Sequence, residues 1–204
     1  MKRIRSHPLL AGWLAAILLW LLVWLGGGVQ TLFYLCRGQA GTQQLAPGDW
    51  ALSSLVETEN PVTGEAGWLV STDTDPRMEW TGERYVSAVA LTMSSLRPTG
   101  AVVLYYKTPG QTDYSVQQMV YAQKTGEATY EFSLGGQYVT ALRIDPASSG
   151  AVFLKPGTAV IDPPGSWLRR LVPNGLQWMA LLAAGPVLAA LWRLVDNKGY
   201  KTKE

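Results

Sequence analysis

Few residues in this chain are equipped for chemistry, and the first to stand out are two acids in the stretch 70–80, VSTDTDPRMEW. Asp73 and Asp75 stand two apart, the spacing at which loop carboxylates begin a calcium site. An EF-hand loop counted from Asp73 needs glycine at its sixth position and glutamate at its twelfth. Those positions hold Met78 and Arg84, which rules that loop out. Two readings remain. One is a Ca2+ site of another kind, built from Asp73, Asp75 and backbone carbonyls. The other is a turn, in which aspartate hydrogen-bonds its own backbone and Pro76 fixes φ. The residues favour the turn. Aromatic rings supply the second candidate chemistry, because exposed rings beside polar groups can stack on a sugar. Trp80 and Tyr114 flank polar, turn-like segments and are the rings expected to be exposed. For any single ring, packing in the core or across strands is the competing role.

Other chemistry is limited by residue type. His7 is the only histidine and Cys36 the only cysteine, and both lie outside the middle of the chain. A Ser–His or Cys–His pair therefore cannot be assembled in that middle, nor can a histidine-based zinc site. No GxxxxGK[ST] stretch is present, and no GxGxxG follows a strand pattern. Acids are numerous enough for a paired-carboxylate hydrolase, but nothing in their placement singles out a pair. The expectation is a protein that is not an enzyme.

The elements that must position these residues are announced by hydropathy. Leu9 to Gly28 carries no charge, and Gly175 to Trp192 has Gln177 as its only strongly polar side chain. Runs of about 20 apolar residues match a hydrocarbon core of about 30 Å. Both read as transmembrane helices in contact with the lipid bilayer. Trp167 and Trp178 suit an aromatic belt at its interface, and Pro173 and Asn174 suit the start of the second span. Ala180, Ala184 and Gly185 are candidates to face Gly12 or Ala16 across the pair. Lys2, Arg3 and Arg5 precede the first span and only Arg37 closely follows it. Arg193, Lys198, Lys201 and Lys203 follow the second, against Arg169 and Arg170 before it. The positive-inside rule then puts both termini in the cytoplasm and the middle outside. The first run is longer than a signal peptide's apolar core and resumes as VQTLFYLC after three glycines, which favours a retained anchor over a cleaved leader.

Between the spans, residues 38–168 hold 13 Asp and Glu against 7 Lys and Arg, a net charge of −6. The basic overall balance thus comes from the flanks of the spans, and nucleic acid is not an expected partner. From residue 49 the texture is Val-, Tyr- and Thr-rich. Strands are expected at 50–57, 67–72, 85–93, 101–107, 115–122, 128–134, 138–145, 151–155 and 158–162. Turns such as LGG and KPG separate them. Tyr130, Phe132 and Leu134 share a face, as do Val89, Leu91 and Met93, and Tyr138, Leu142 and Ile144. One dry face per strand is the pattern of two packed antiparallel sheets.

STDTDPRMEW, taken with TALRIDPASSGAVFLKPGTAVID and the strand VVLYYKT, resembles a jelly-roll domain of the galactose-binding-like or carbohydrate-binding-module kind found in bacterial envelope membrane proteins. The resemblance covers about residues 50–162. It implies an all-β jelly-roll sandwich that binds glycan in some relatives and serves assembly in others. The expected organisation is a cytoplasmic tail (1–7), transmembrane helix (8–36), linker (37–48), extracytoplasmic sandwich (49–165), interfacial segment and second span (166–195) and a second cytoplasmic tail (196–204). The expected role is a non-catalytic module of the bacterial plasma membrane that binds envelope glycan or positions an envelope protein. The alternative is a structural subunit whose spans pack against a larger membrane complex.

Overall fold

The computed structural model describes residues 8–166 and 175–201. In chain order the elements are helix α1 (Pro8–Cys36), strands β1 (Gln43–Leu45), β2 (Ala51–Ser53), β3 (Leu55–Thr58), β4 (Trp68–Ser71), β5 (Arg77–Ser95), β6 (Val103–Lys107), β7 (Met119–Tyr121), β8 (Gln123–Lys124), β9 (Thr129–Asp145) and β10 (Phe153–Ile161), and helix α2 (Gly175–Lys201). The chain divides into two compact units, Met1–Gln30 with Leu168–Glu204, and Thr31–Trp167. Lys2, Arg3, Arg5, His7, Trp167, Arg169, Arg170, Pro173, Asn174 and Lys203, all used in the sequence reading, lie outside the described residues.

The second unit is a β-sandwich whose layers share two long strands. Every ladder is antiparallel. The first part of β5 pairs with β2 and with the last part of β9, which continues through β6 to β7. The second part of β5 pairs with the first part of β9 and with β10, and β10 carries β4 and β1. The β5–β9 ladder shifts register between Thr81 and Arg84 and again between Val86 and Ala88. Bulges bend strands, and here they let one pair turn from one layer into the other. Met78 and Ile144 from one end of that ladder and Val89 and Phe132 from the other lie in one buried cluster. Fully burying a side chain of this size stabilises by about 1.5–3 kcal/mol, so this doubled-over pair anchors the fold.

Two expected turns are strand irregularities. LGG does not separate two strands: Gly135 and Gly136 sit inside β9 at φ 71° and 86°, a region that glycine enters without steric cost. KPG lies within β10, where the register shifts between Pro156 and Ala159 and the proline falls at the bulge. The bulge between Thr81 and Arg84 also reassigns one face. Val139 is fully buried, whereas Tyr138 turns to stack on Tyr34 at 5.1 Å instead of joining Leu142 and Ile144. The stretch 37–48, expected as a linker, is docked on the sandwich. β1 pairs with β10 and Leu45 is buried. Tyr34 also stacks on Tyr85 at 4.7 Å, the Tyr85 N–H donates to the Gln39 carbonyl, and Arg84 donates to the Gly41 carbonyl.

Helix α1 over Leu9–Cys36, most of which lies in the first unit, and α2 over Gln177–Leu194 are long and apolar enough to cross a membrane. Gly12 and Gly185 make the crossing close. A Cβ on Gly12 would strike the Gly185 carbonyl oxygen, and one on Gly185 would stand 2.8 Å from the Trp13 Nε1. Ala16 and Ala189, four residues on from each glycine, are buried. Small residues at four-residue spacing let backbones approach in this way. Ala180 is exposed and does not join them. Pro186 lies inside α2, where it lacks the N–H that would bond the carbonyl of Leu182.

Candidate functional site

The Asp73–Asp75 stretch forms a turn between β4 and β5. Asp73 accepts from the Asp75 N–H at 2.8 Å and from the Ser54 hydroxyl at 2.6 Å. Those bonds hold its carboxyl below the ordinary 3.8. Asp75 accepts from Arg77 and, at 2.6 Å, from Arg143. The Arg77 bond, aided by the charges of Arg143 and Arg77, lowers its carboxyl against the effect of burial. Each acid is thus engaged by the protein, and two guanidinium groups stand where a cation would have to. Among the described residues, no group of three His, Cys, Asp or Glu converges as a metal site.

Trp80 and Tyr114 fall on opposite faces of one layer. Trp80 pairs with Leu142 and packs on the core, its indole laid against Gly82. It is half-buried and not the exposed platform that its polar surroundings suggested. Tyr114 is likewise half-buried and lies on the outer face, where alternation brings out Arg77 and Glu79 of β5, Arg143 and Asp145 of β9, and Tyr105 and Lys107 of β6. Arg143 is the hub. It donates to Asp145 at 2.6 and 2.8 Å and to Asp75, and its guanidinium lies 5.2 Å from the Tyr105 ring and 5.8 Å from that of Tyr114. Lys107 stands 4.3 Å over the Tyr114 ring. Burial, then the charge of Glu79, pushes the Tyr114 phenol up to about 12, with Arg143 opposing.

This cluster contains the paired carboxylates that a hydrolase would need, which the sequence did not single out. Asp75 and Asp145 accept from the same Arg143 nitrogen at 2.6 and 2.8 Å, so their oxygens are at most the sum of those distances apart. That puts them no further apart than the about 5–5.5 Å of a retaining glycosidase. Their carboxyls are also pushed in opposite directions: burial raises Asp145, Arg143 pulling it back, whereas Asp75 is lowered. The guanidinium occupies the gap, however, and both acids are spent on it. The arrangement is an ion-pair network with no room for a substrate bond between its acids.

An open groove lies elsewhere, at the end of the sandwich. Its volume is about 700 Å³, within the range of about 300–1,000 Å³ usual for small-molecule sites. Its wall is made by the β5–β6 connection, with Arg97, Thr99 and Gly100, and by Tyr121, Lys124 and Tyr130. Tyr121 is 61% exposed and Tyr130 9%. The wall is pinned by the Ser148 N–H donating to the Thr99 carbonyl, by that of Leu96 donating to the Phe153 carbonyl, and by that of Ala122 donating to the Val102 carbonyl. The sequence reading missed Tyr121 because it sits inside an expected strand, where a tyrosine is ordinarily packed. The polar run AQKTGE that follows Tyr121 was the available signal that this strand ends early and leaves its ring at an edge.

No protein-family model matches the chain, and no curated protein matches it. Solved structures with a similar chain path are carbohydrate-binding modules. A low-affinity xylan-binding module, CBM86, from the gut symbiont Roseburia intestinalis is 12% identical, with a TM-score of 0.40, over 62% of this chain and 99% of that one. A family 6 module from Clostridium cellulolyticum in complex with xylose is 7% identical, with a TM-score of 0.41, over 59% and 97%. A point variant of the family 29 module CBM29-2 is 9% identical, with a TM-score of 0.43, over 60% and 92%.

Proposed function

We propose that this chain is a membrane-tethered, non-catalytic binding module whose sandwich takes a saccharide in the groove between residues 95–102 and 121–130. The observation that carries this reading is the groove itself. It joins an exposed phenol ring, Tyr121, to hydroxyl, carbonyl and cationic groups on a hydrogen-bonded frame. A flat apolar ring with polar neighbours suits the C–H face and hydroxyl rim of a sugar, because the ring covers the one while the neighbours satisfy the other. The two apolar helices would hold the module in the plasma membrane of a bacterium. The charge bias of their flanks favours cytoplasmic ends and an outward-facing sandwich.

The test is titration of the full-length protein, in detergent, with a panel of neutral and acidic oligosaccharides. Saturable binding that weakens about tenfold or more in Tyr121→Ala supports the groove, a loss of the size expected when a packed aromatic anchor is truncated. Loss on Tyr114→Ala with Tyr121→Ala unaffected would move the site to the charged face. Absence of saturable binding to any of the panel would overturn the reading.

A second reading has its own observation. Outside the Gly12–Gly185 contact, α1 and α2 expose large side chains along their length, among them Leu18, Leu22, Val187 and Leu191. Those faces would meet lipid in a free anchor, or another membrane protein in an assembly subunit. Crosslinking in native membranes separates the two: recovery of this chain alone argues for the anchor.

A further inference from the structure

The charges of the sandwich are unevenly used. Residues 38–168 are strongly acidic, with only seven cations. Arg77 and Arg143 are ion-paired to Asp75 and Asp145, and Lys155 to Glu65. Arg84 donates to the Gly41 carbonyl and Lys107 is held over Tyr114. The remaining two, Arg97 and Lys124, are both exposed, and none of the ion pairs among the described residues involves either. They converge on one place, the walls of the groove, and no Asp or Glu lines it. Lys124 also stands 5.8 Å from the ring of Tyr130, another residue that lines the groove.

Resting on the reading of this groove as a saccharide site, we infer that its ligand is anionic: a sugar bearing a carboxylate or phosphate group. Tyr121 stacks on the ring, and Arg97 and Lys124 meet the charged substituent. Two like charges brought to one groove with no acid among its lining residues leave that space open to an anion. In a domain with a net negative charge they are also the one local feature that draws an anion in and not away. Charge-assisted hydrogen bonds from a guanidinium and an ammonium supply discrimination that a neutral sugar cannot exploit.

The experiment uses the full-length protein in detergent with three probes: oligogalacturonate, the same oligomer with its carboxyls methyl-esterified, and inorganic phosphate. A panel of other acidic glycans with their neutralised forms runs beside them. The acidic form is expected to bind about tenfold more tightly than its neutral counterpart at low salt, and the preference to shrink as salt rises. Arg97→Gln with Lys124→Gln should abolish the preference, so that acidic and neutral forms bind alike, while leaving the melting temperature unchanged, since both side chains are exposed and outside any ion pair. Equal binding of acidic and neutral forms would overturn the inference and leave the groove reading intact. No binding of any saccharide would overturn both. Displacement of the acidic form by equimolar phosphate would show a simple anion site, and would also overturn the inference.

Discussion

Arg143 shows how one residue can draw several candidates into a single role. Asp75 was a calcium candidate, Tyr114 a sugar-stacking candidate, and Asp145 belonged to the pattern LRIDP. All three are held by the same guanidinium. Side chains of Arg143 and Asp145 are only 14% and 15% exposed, so the pair is well shielded from water. Removing the cation leaves Asp145 buried without its partner. Arg143→Ala is therefore expected to destabilise the sandwich by about 2–4 kcal/mol, measured by thermal or urea unfolding. The double variant Arg143→Met with Asp145→Leu should lose less than Arg143→Ala alone, because no buried charge is stranded and Asp75 keeps Arg77. If the double variant were the worse of the two, the network would not be the shielded pair described here.

At the scale of elements, alternation and turn chemistry made the strands legible and the bulges illegible. The residues expected to be dry in 85–93 and 128–134 are dry: Val89, Leu91, Met93, Tyr130, Phe132 and Leu134 are all buried. What could not be read was continuity. Glycine pairs mark turns and bulges alike, because both need the same backbone freedom. Only the partner strand decides which, and pairing is a long-range property. The same ambiguity hid the groove. Arg97 and Lys124 are 27 positions apart in sequence, with two expected strands between them, and only the docking of the β5–β6 connection against β7 and β8 brings them to one space. Asp73–Pro76, in contrast, was readable as a turn, because an Asx hydrogen bond is local. The helix pair was partly readable. Gly185 does face Gly12, and the crossing tolerates no side chain there. Gly12→Leu is expected to loosen the pair by about 1–2 kcal/mol, seen as earlier loss of helical circular dichroism in micelles. An unchanged melt would mean that the two helices do not depend on this contact.

For the whole molecule, acid stability follows from the direction of the shifts. The carboxyls of Asp73 and Asp75 are held below 3.8 and that of Glu65 below 4.5. A group whose folded pKa is depressed contributes stability above its unfolded value and loses it as pH falls through the folded one. Asp145 is raised by burial, so it acts in the opposite sense: its contribution is present below 3.8 and is lost as pH rises through its folded pKa. Three groups against one predict a melting temperature that falls as pH drops below about 4. Asp75→Asn should lower stability at neutral pH by about 0.5–1 kcal/mol, as for a half-exposed ion pair, and should flatten the acid limb. A variant as steep in acid as the parent would mean that Asp75 does not carry its share.

On the proposed reading, the sandwich holds a saccharide between the β5–β6 connection and the Tyr121 edge. Hydroxyl-radical footprinting of the full-length protein, with and without the tightest-binding saccharide at saturation, tests it most directly. Protection is expected at Leu96, Pro98 and Tyr121, while Tyr105 and Tyr114 on the charged face stay as reactive as before. Protection confined to Tyr105 and Tyr114, or no protection on the sandwich at all, would contradict it.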